Sequence, residues 1–182
     1  MRKVIAAINM TIDGVCDHTA GLPDEEIHQH YTDLLDSADI ILYGRITYQL
    51  MQYWQTLIKN PSGEKTEDDF AIAIDKIQKI VFSHKLKNTD WDSAKLATKP
   101  MEELVRELKQ QPGKDILVGS RSLITQLLNL NLIDEFQLCV YPVIAGKGLL
   151  LFEHVNDRTI FKLTKTKTFI RGAVTLYYAP TK

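Results

Sequence analysis

Long apolar runs and paired cysteines are both missing from this sequence. The longest apolar stretch, residues 4–10, is interrupted by Asn9, whereas a helix that crosses a bilayer needs about 20 apolar residues. The stretch is also too short and irregular for the apolar region of a signal peptide. The two cysteines, Cys16 and Cys139, have no spacing typical of a zinc site. These absences favour a reduced, cytoplasmic chain.

An excess of charge of either sign is missing as well. The 182 residues include 22 Lys and Arg and 23 Asp and Glu, so the net charge is −1. This balance argues against nucleic-acid binding through bulk basicity, and any bound anion must be held by a few placed groups. The hydrophobic share of 45% is ordinary for a globular protein. We expect a single domain that spans residues 1–182.

The common cofactor and catalytic motifs are not found. The only Gly-x-Gly, residues 146–148, leads into leucines and lacks the third glycine of the usual dinucleotide fingerprint. The sequence has neither a Walker loop nor a Gly-x-Ser-x-Gly elbow. His28 and His30 lie two residues apart on a predicted helix, so they point in different directions and cannot share a metal ion. We expect no metal site.

Strands and helices alternate along most of the chain. Apolar runs predict strands at 3–10, 39–43, 79–83, 116–118 and 135–143. Helical spacing predicts helices at 24–37, 45–54, 70–76, 101–110 and 121–128, with a polar loop at 60–69. Two β-rich runs, 161–169 and 173–179, flank Arg171-Gly172 and predict a hairpin. This order predicts an α/β fold with a mostly parallel sheet and an antiparallel C-terminal hairpin.

Three predicted strands end in small or basic residues. Gly44, Arg45 and Thr47 follow one strand, and residues 119–122 repeat the combination of glycine, arginine and hydroxyl. Residues 83–85, Ser-His-Lys, end a third. Glycine allows close approach of a ligand, a helix start favours anions, and arginine suits phosphate. Each turn alone also fits an ordinary helix start; the set predicts a diphosphate site with a basic corner for an extra phosphate.

These residues, in this order, resemble the dihydrofolate-reductase superfamily, specifically the reductase domain of the bifunctional riboflavin-biosynthesis deaminase-reductase in a stand-alone form. The resemblance implies a three-layer sandwich with helices on both faces of a mixed sheet. It covers essentially the whole chain, and Gly-Arg-x-Thr is its most specific element. The matching segments are 5–7, 13–14, 44–48, 80–83, 118–120 and 132–146.

The resemblance implies NADPH as the cofactor. Arg45 and the His84-Lys85 corner favour NADPH over NADH, because the extra phosphate needs cations. By the resemblance, Gly44, Arg45 and Thr47 hold phosphates, Ser83 and His84 lie at the adenosine 2′-phosphate, and residues 119–122 hold the diphosphate. The nicotinamide is bordered by Ala7 and the 12–15 loop. The implied cofactor-binding residues are Ala7, Ile12, Gly14, Val15, Gly44, Arg45, Thr47, Ser83, His84, Gly119, Ser120, Arg121 and Ser122.

The sequence departs from the family pattern at two points. The deaminase signature, His-x-Glu followed by Pro-Cys-x-x-Cys, is absent, so this chain cannot perform the zinc-dependent half of the bifunctional reaction. Gly119-Ser120 stands where dihydrofolate reductases have Gly-Gly. The unusual cis peptide of that pair would cost more with serine, which puts its presence here in doubt.

Candidate catalytic residues lie near the first predicted helix. Leu22-Pro23-Asp24-Glu25 resembles the Leu-Pro-x-Asp stretch of dihydrofolate reductases and gives Glu25 the role of the substrate-binding acid. The segment from there to Gly44 is longer than in the family, so Glu26 and His28 are alternatives, and Asp13 is a further candidate. Acidic residues in a first helical turn are also favoured by the helix dipole alone.

The expected function is hydride transfer from NADPH to a C=N or C=O bond of a small pyrimidine- or pteridine-type substrate, as in the riboflavin pathway. A dihydrofolate reductase is one alternative, and an NADPH-binding protein without turnover is another. We also expect a homodimer formed through the C-terminal hairpin and the apolar run 149–152.

Overall fold

The computed structural model describes residues 1–181, and its centre is an eight-stranded mixed sheet. The strand order is β4-β3-β2-β5-β1-β6-β8-β7. Strands β1 to β6 are parallel, whereas β8 pairs antiparallel with both β6 and β7. The strands are β1 Val4–Thr11, β2 Ala38–Gly44, β3 Gln78–Phe82, β4 Ala94–Leu96, β5 Asp115–Val118, β6 Glu135–Tyr141, β7 Phe161–Thr168 and β8 Val174–Pro180.

Helices cover both faces of the sheet. They are α1 Glu25–Asp36, α2 Arg45–Met51, α3 Tyr53–Lys59, α4 Lys65–Lys76, α5 Met101–Gln110 and α6 Arg121–Asn129. Because strand side chains alternate, Ile5 packs with α1, α2 and α4, whereas Val4 and Ala6 pack with α5 and α6. We call these two sides the α1 face and the α6 face.

The predicted architecture is confirmed: a mostly parallel mixed sheet, helices on both faces and an antiparallel C-terminal hairpin. No helix among residues 1–181 is both long and apolar enough to cross a membrane.

Two predicted segments need correction, and one strand was not predicted. The helix predicted at 45–54 is divided at Gln52 into α2 and α3, and the bend allows Trp54 to pack 4.6 Å from Phe70. The loop predicted at 60–69 ends earlier, because α4 begins at Lys65; the charges that suggested a loop form an acidic first helical turn. Strand β4 was missed, since its three residues include no β-branched side chain.

The strands end unevenly at the carboxyl edge of the sheet. Strand β5 pairs with β1 only as far as Ala6, opposite Val118, while β1 continues beside β6 to Thr11. Within residues 1–181, the stretch Ala7–Asn9 therefore has no strand partner on its β5 side. We call the space beside it the β1 notch. Clefts at the carboxyl ends of such strands are the usual ligand sites in α/β sheets.

Candidate functional site

The two predicted glycine turns meet at the carboxyl edge of the sheet. They follow the neighbouring strands β2 and β5. The Gly44 amide donates to Ser120 Oγ at 2.9 Å, and Ser120 is only 1% exposed. A Cβ atom at Gly44 would fill the space between the turns, 3.5 Å from Ser122 Oγ. The turns at 44–47 and 119–122 thus form one surface.

The side chains of these turns face in different directions. Arg45 is half-buried, and its guanidinium donates to Gln49 Oε1 at 2.9 Å. Ser122 is exposed and Thr47 half-buried, so both hydroxyls lie near solvent. The guanidinium of Arg121 instead contacts the carbonyl of Leu150 at 2.9 Å and the carboxylate of Glu153 at 2.6 Å. Arg121 therefore ties the turn to the segment 149–153.

The basic corner lies beside the Gly44 turn. Strand β3 pairs with β2, and Phe82 is opposite Gly44. Ser83 Oγ accepts hydrogen bonds from the amides of Lys85 and Leu86, both at 3.0 Å, which fixes the turn. His84 and Lys85 are exposed. His84 and Lys85 are therefore two potential cations beside Arg45 at the carboxyl edge of the sheet.

Of the residues predicted at the nicotinamide, Ala7 borders the β1 notch, and the 12–15 loop follows the end of the same strand. A Cβ atom at Gly119 would lie 3.7 Å from the carbonyl oxygen of Ala7, and the Gly119-Ser120 peptide is trans. In the 12–15 loop, Gly14 has φ +82°, a conformation that favours glycine, and the Thr11 amide donates to the Val15 carbonyl. Val15 is buried, whereas Ile12 is 60% exposed and offers an apolar surface.

The carboxylate of Asp13 binds neighbouring backbone. It accepts from the Thr11 hydroxyl at 2.5 Å and from the amides of Ala145 and Gly146 at 3.1 and 2.7 Å. These hydrogen bonds, with that of Thr11 first, lower the pKa of Asp13 to about 2. A carboxylate that stays ionised is a poor proton donor. Asp13 joins the 11–15 loop to the 145–146 turn.

The start of α1 forms one wall of a cleft on the α1 face. Asp24 caps the helix by accepting from the Ile27 amide at 3.0 Å. The carboxylate of Glu26 accepts from the Ile170 amide at 2.7 Å, so it is bound to the hairpin tip. Glu25 and His28 both line the cleft, of about 150 Å³. The complete lining is Pro23, Asp24, Glu25, His28, Glu64, Thr66, Glu67 and Arg171.

The half-buried imidazole of His28 is the basic group in this cleft. Its ring lies 5.8 Å from that of Trp54 and 6.2 Å from that of Phe70. Burial lowers the pKa of His28, an effect that Glu67 and Asp24 only partly oppose. The imidazole is therefore neutral at pH 7 and can both donate and accept a hydrogen bond. His30, in contrast, packs against Phe169 on another side of α1.

One polar pair beside the notch was missed by the sequence analysis. The hydroxyl of Tyr31, on α1, donates to Asn9 Oδ1 on β1 at 2.6 Å. The available signal was Asn9 itself, a polar residue that interrupts an apolar strand. A second hollow, of about 50 Å³, is lined by residues such as Leu128 and Phe161; it contains none of the predicted site residues.

Proteins similar to this chain over most of its length are known. YyaP, an uncharacterized protein of Bacillus subtilis (strain 168), is 36% identical over 181 residues, 97% of this chain and 94% of that protein. A pyrimidine reductase-like protein from Corynebacterium diphtheriae has the same fold, with a TM-score of 0.68 at 16% identity over 100% of this chain and 92% of that chain.

The fold also occurs within a longer protein, the diaminohydroxyphosphoribosylaminopyrimidine deaminase/5-amino-6-(5-phosphoribosylamino)uracil reductase from Thermotoga maritima. That structure gives a TM-score of 0.65 at 17% identity, over 99% of this chain and 57% of that chain. The family model described as RibD C-terminal domain matches residues 2–175, and the chain therefore belongs to the RibD C-terminal domain family.

Proposed function

We propose that this protein is an NADPH-dependent reductase that transfers a hydride to a C=N or C=O bond of a pyrimidine- or pteridine-type small molecule. The observation that carries the proposal is the contact between the Gly44 amide and Ser120 Oγ, which joins two strand-to-helix turns into one surface at the carboxyl edge of the sheet. Membership of the RibD C-terminal domain family supports a reductase of this kind.

The groups along the sheet edge suit the phosphates of NADPH. The open space at Gly44, the hydroxyls of Thr47 and Ser122 and the guanidinium of Arg45 are donors of the kind that bind a diphosphate. Arg45, His84 and Lys85 supply positive charge for the additional 2′-phosphate that distinguishes NADPH from NADH. Ser120 and Arg121 act indirectly: the first fixes the Gly44 turn, and the second holds the segment 149–153.

The nicotinamide end suits the β1 notch. The Ala7 carbonyl is a hydrogen-bond acceptor beside Gly119, and the exposed side chain of Ile12 offers an apolar surface for a flat ring. Gly14 and Val15 hold the loop that carries Ile12. When bound, NADPH supplies the hydride; the protein orients the ring and limits access of water.

Substrate protonation is assigned to the cleft at the start of α1. Glu25 is exposed in the first turn and can donate or anchor a hydrogen bond, and the neutral imidazole of His28 lies in the same cleft. Asp13 and Glu26 are bound to backbone amides, so we propose supporting roles for both.

The test is a pair of measurements on the purified protein. Fluorescence titration measures NADPH affinity, and an affinity weaker than millimolar would exclude the cofactor. NADPH oxidation is then compared with two substrates, the ribosylaminopyrimidine intermediate of riboflavin synthesis and dihydrofolate. Oxidation with the first supports the proposal, and oxidation with dihydrofolate alone identifies a dihydrofolate reductase. Binding without turnover on either identifies an NADPH-binding protein.

We further propose that the single domain forms a homodimer. The edge strand β7 is exposed along most of its length, and Leu149, Leu150 and Phe152 are each more than 40% exposed near it in sequence. Exposed apolar side chains grouped in one segment, as at 149–152, are a common feature of subunit interfaces. Light scattering measures the mass. Because NADPH is a cytoplasmic reductant, the proposed activity also implies a cytoplasmic location.

A further inference from the structure

Asn9 lies where a substrate ring would meet the β1 notch. Strand side chains alternate, so Asn9 is on the same face of β1 as Ala7, the α1 face. Beyond Ala6, β1 has no β5 partner within residues 1–181. Asn9 is half-buried. Its carboxamide therefore stands between the notch and α1, the helix whose first turns line the cleft with Glu25 and His28.

Tyr31 fixes the orientation of this carboxamide. Its hydroxyl donates to Asn9 Oδ1 at 2.6 Å. The Tyr31 ring is itself held, since it packs against apolar clusters on both sides and lies 5.2 Å from the ring of His30. Burial raises the pKa of Tyr31 well above its usual value, so the hydroxyl keeps its proton and stays a donor.

The other end of the Asn9 carboxamide is open. Among residues 1–181, Nδ2 has no hydrogen-bond partner, and it does not belong to the buried polar atoms that lack one. The nitrogen is therefore accessible. Because Oδ1 is already occupied by Tyr31, Asn9 presents only N–H donors to a ligand.

We propose that Asn9 is a specificity residue that selects substrates with a ring carbonyl over those with an amino group at the same position. A carbonyl oxygen accepts a hydrogen bond from Nδ2. An amino group at the same position is itself a donor, so neither it nor Nδ2 would have an acceptor. If the amide rotated to offer its oxygen to a ligand, Nδ2 would face the Tyr31 hydroxyl, and the proton of that hydroxyl would lose its acceptor among residues 1–181. This inference rests on the proposed function and narrows its substrate class to oxopyrimidines or oxopteridines.

The experiment compares two probes by calorimetry on protein saturated with NADP⁺. Diaminouracil carries a ring carbonyl where diaminocytosine carries an amino group, and the adjacent ring nitrogen bears a proton in the first and none in the second. We expect the wild type to bind diaminouracil at least about tenfold more tightly, the size of one neutral hydrogen bond. Asn9→Asp, which replaces the donor by an acceptor, reverses the preference. Tyr31→Phe frees the amide to rotate and brings the ratio close to one.

Thr175→Val is the matched control, because Thr175 is on the same row of the sheet but two strands away from Asn9. We expect Thr175→Val to leave the ratio of the affinities for diaminouracil and diaminocytosine unchanged. Thermal unfolding and NADPH affinity confirm that each variant is folded. The proposal is overturned if the wild type prefers diaminocytosine or binds neither probe, or if Asn9→Asp keeps the wild-type preference. Loss of NADPH binding alone, with the preference for diaminouracil intact in cofactor-free protein, rejects the proposed function and leaves the role of Asn9 standing.

Discussion

The Gly44 amide and the Ser120 hydroxyl, 76 residues apart in sequence, are joined by a hydrogen bond of 2.9 Å. The bond ties the end of β2 to the end of β5 and fixes the relative position of the helices α2 and α6. Ser120 is buried, and its hydroxyl accepts from the backbone of the neighbouring turn. The neighbouring Ser122 is exposed and remains free.

Ser120→Ala and Ser122→Ala therefore affect different quantities, the first stability and the second cofactor binding. Ser120→Ala leaves the Gly44 amide without its acceptor and lowers the free energy of unfolding by about 1–2 kcal/mol. Ser122→Ala leaves that free energy within about 0.5 kcal/mol but weakens NADPH binding by a few-fold. Urea unfolding and fluorescence titration measure the two quantities. Equal losses of stability in the two variants would contradict the division of roles.

We predict that Arg45 and Arg121 also differ in role, the first as a cofactor ligand and the second as a tether. Arg45→Ala removes an available guanidinium, so we expect NADPH affinity to fall by roughly 10- to 100-fold and NADH affinity to fall less, because NADH has the diphosphate but lacks the 2′-phosphate. Arg121→Ala is the matched comparison. Since its guanidinium contacts Glu153 and the Leu150 carbonyl, it leaves NADPH affinity within about threefold. The titrations use both cofactors, and an NADPH loss in Arg121→Ala as large as in Arg45→Ala refutes the assignment.

The sequence was sufficient to predict the glycine turns but not the direction of their side chains. Buried parallel strands are continuous apolar runs, and Gly44 and Gly119 end two of them, so both turns could be placed. Whether Ser120 or Ser122 faces outward depends on packing against β2. Arg121 is bound to Glu153, 32 residues away, a distance over which local sequence carries no information.

The same limit applies to the fold. The strands at 39–43 and 79–83 were predicted because each contains a continuous apolar run, residues 40–43 and 80–82. Strand β4 has only three residues and forms by pairing with β3. The pair Asn9–Tyr31 joins a strand to a helix, and neither residue alone indicated the other.

Glu25 is tested by comparison with Glu26. Glu25→Gln keeps the shape of the side chain but removes the acid, so we expect kcat to fall by about 10²-fold or more while the Kd for NADPH stays constant. Glu26→Gln changes a carboxylate that is bound to the Ile170 amide and leaves kcat within about twofold. Steady-state kinetics with the best substrate provide the measurement. Unchanged turnover in Glu25→Gln would transfer the role to His28.

His30 makes the stability of the fold depend on pH. The residue is 7% exposed, with its ring 5.4 Å from that of Phe169. Burial lowers the pKa of His30 from 6.5 to about 4; Lys167 and Lys165 act in the same direction, and Asp33 opposes them. As pH falls through 6.5, His30 is protonated in the unfolded chain, whereas in the folded protein it stays neutral until about pH 4. The contribution of neutral His30 to the free energy of unfolding is fully present above pH 6.5 and is lost towards pH 4. The loss is up to about 3 kcal/mol, at about 1.4 kcal/mol per pKa unit.

Urea unfolding between pH 7 and pH 4.5 measures this loss. The window stops above pH 4 because carboxylates such as Asp13, whose pKa is also lowered, lose their stabilising contribution mainly at more acid pH. His30→Phe has no group to protonate, so its stability changes much less across the window. If His30→Phe shows the wild-type slope, a different group is responsible, and His30 is not the buried neutral base described above.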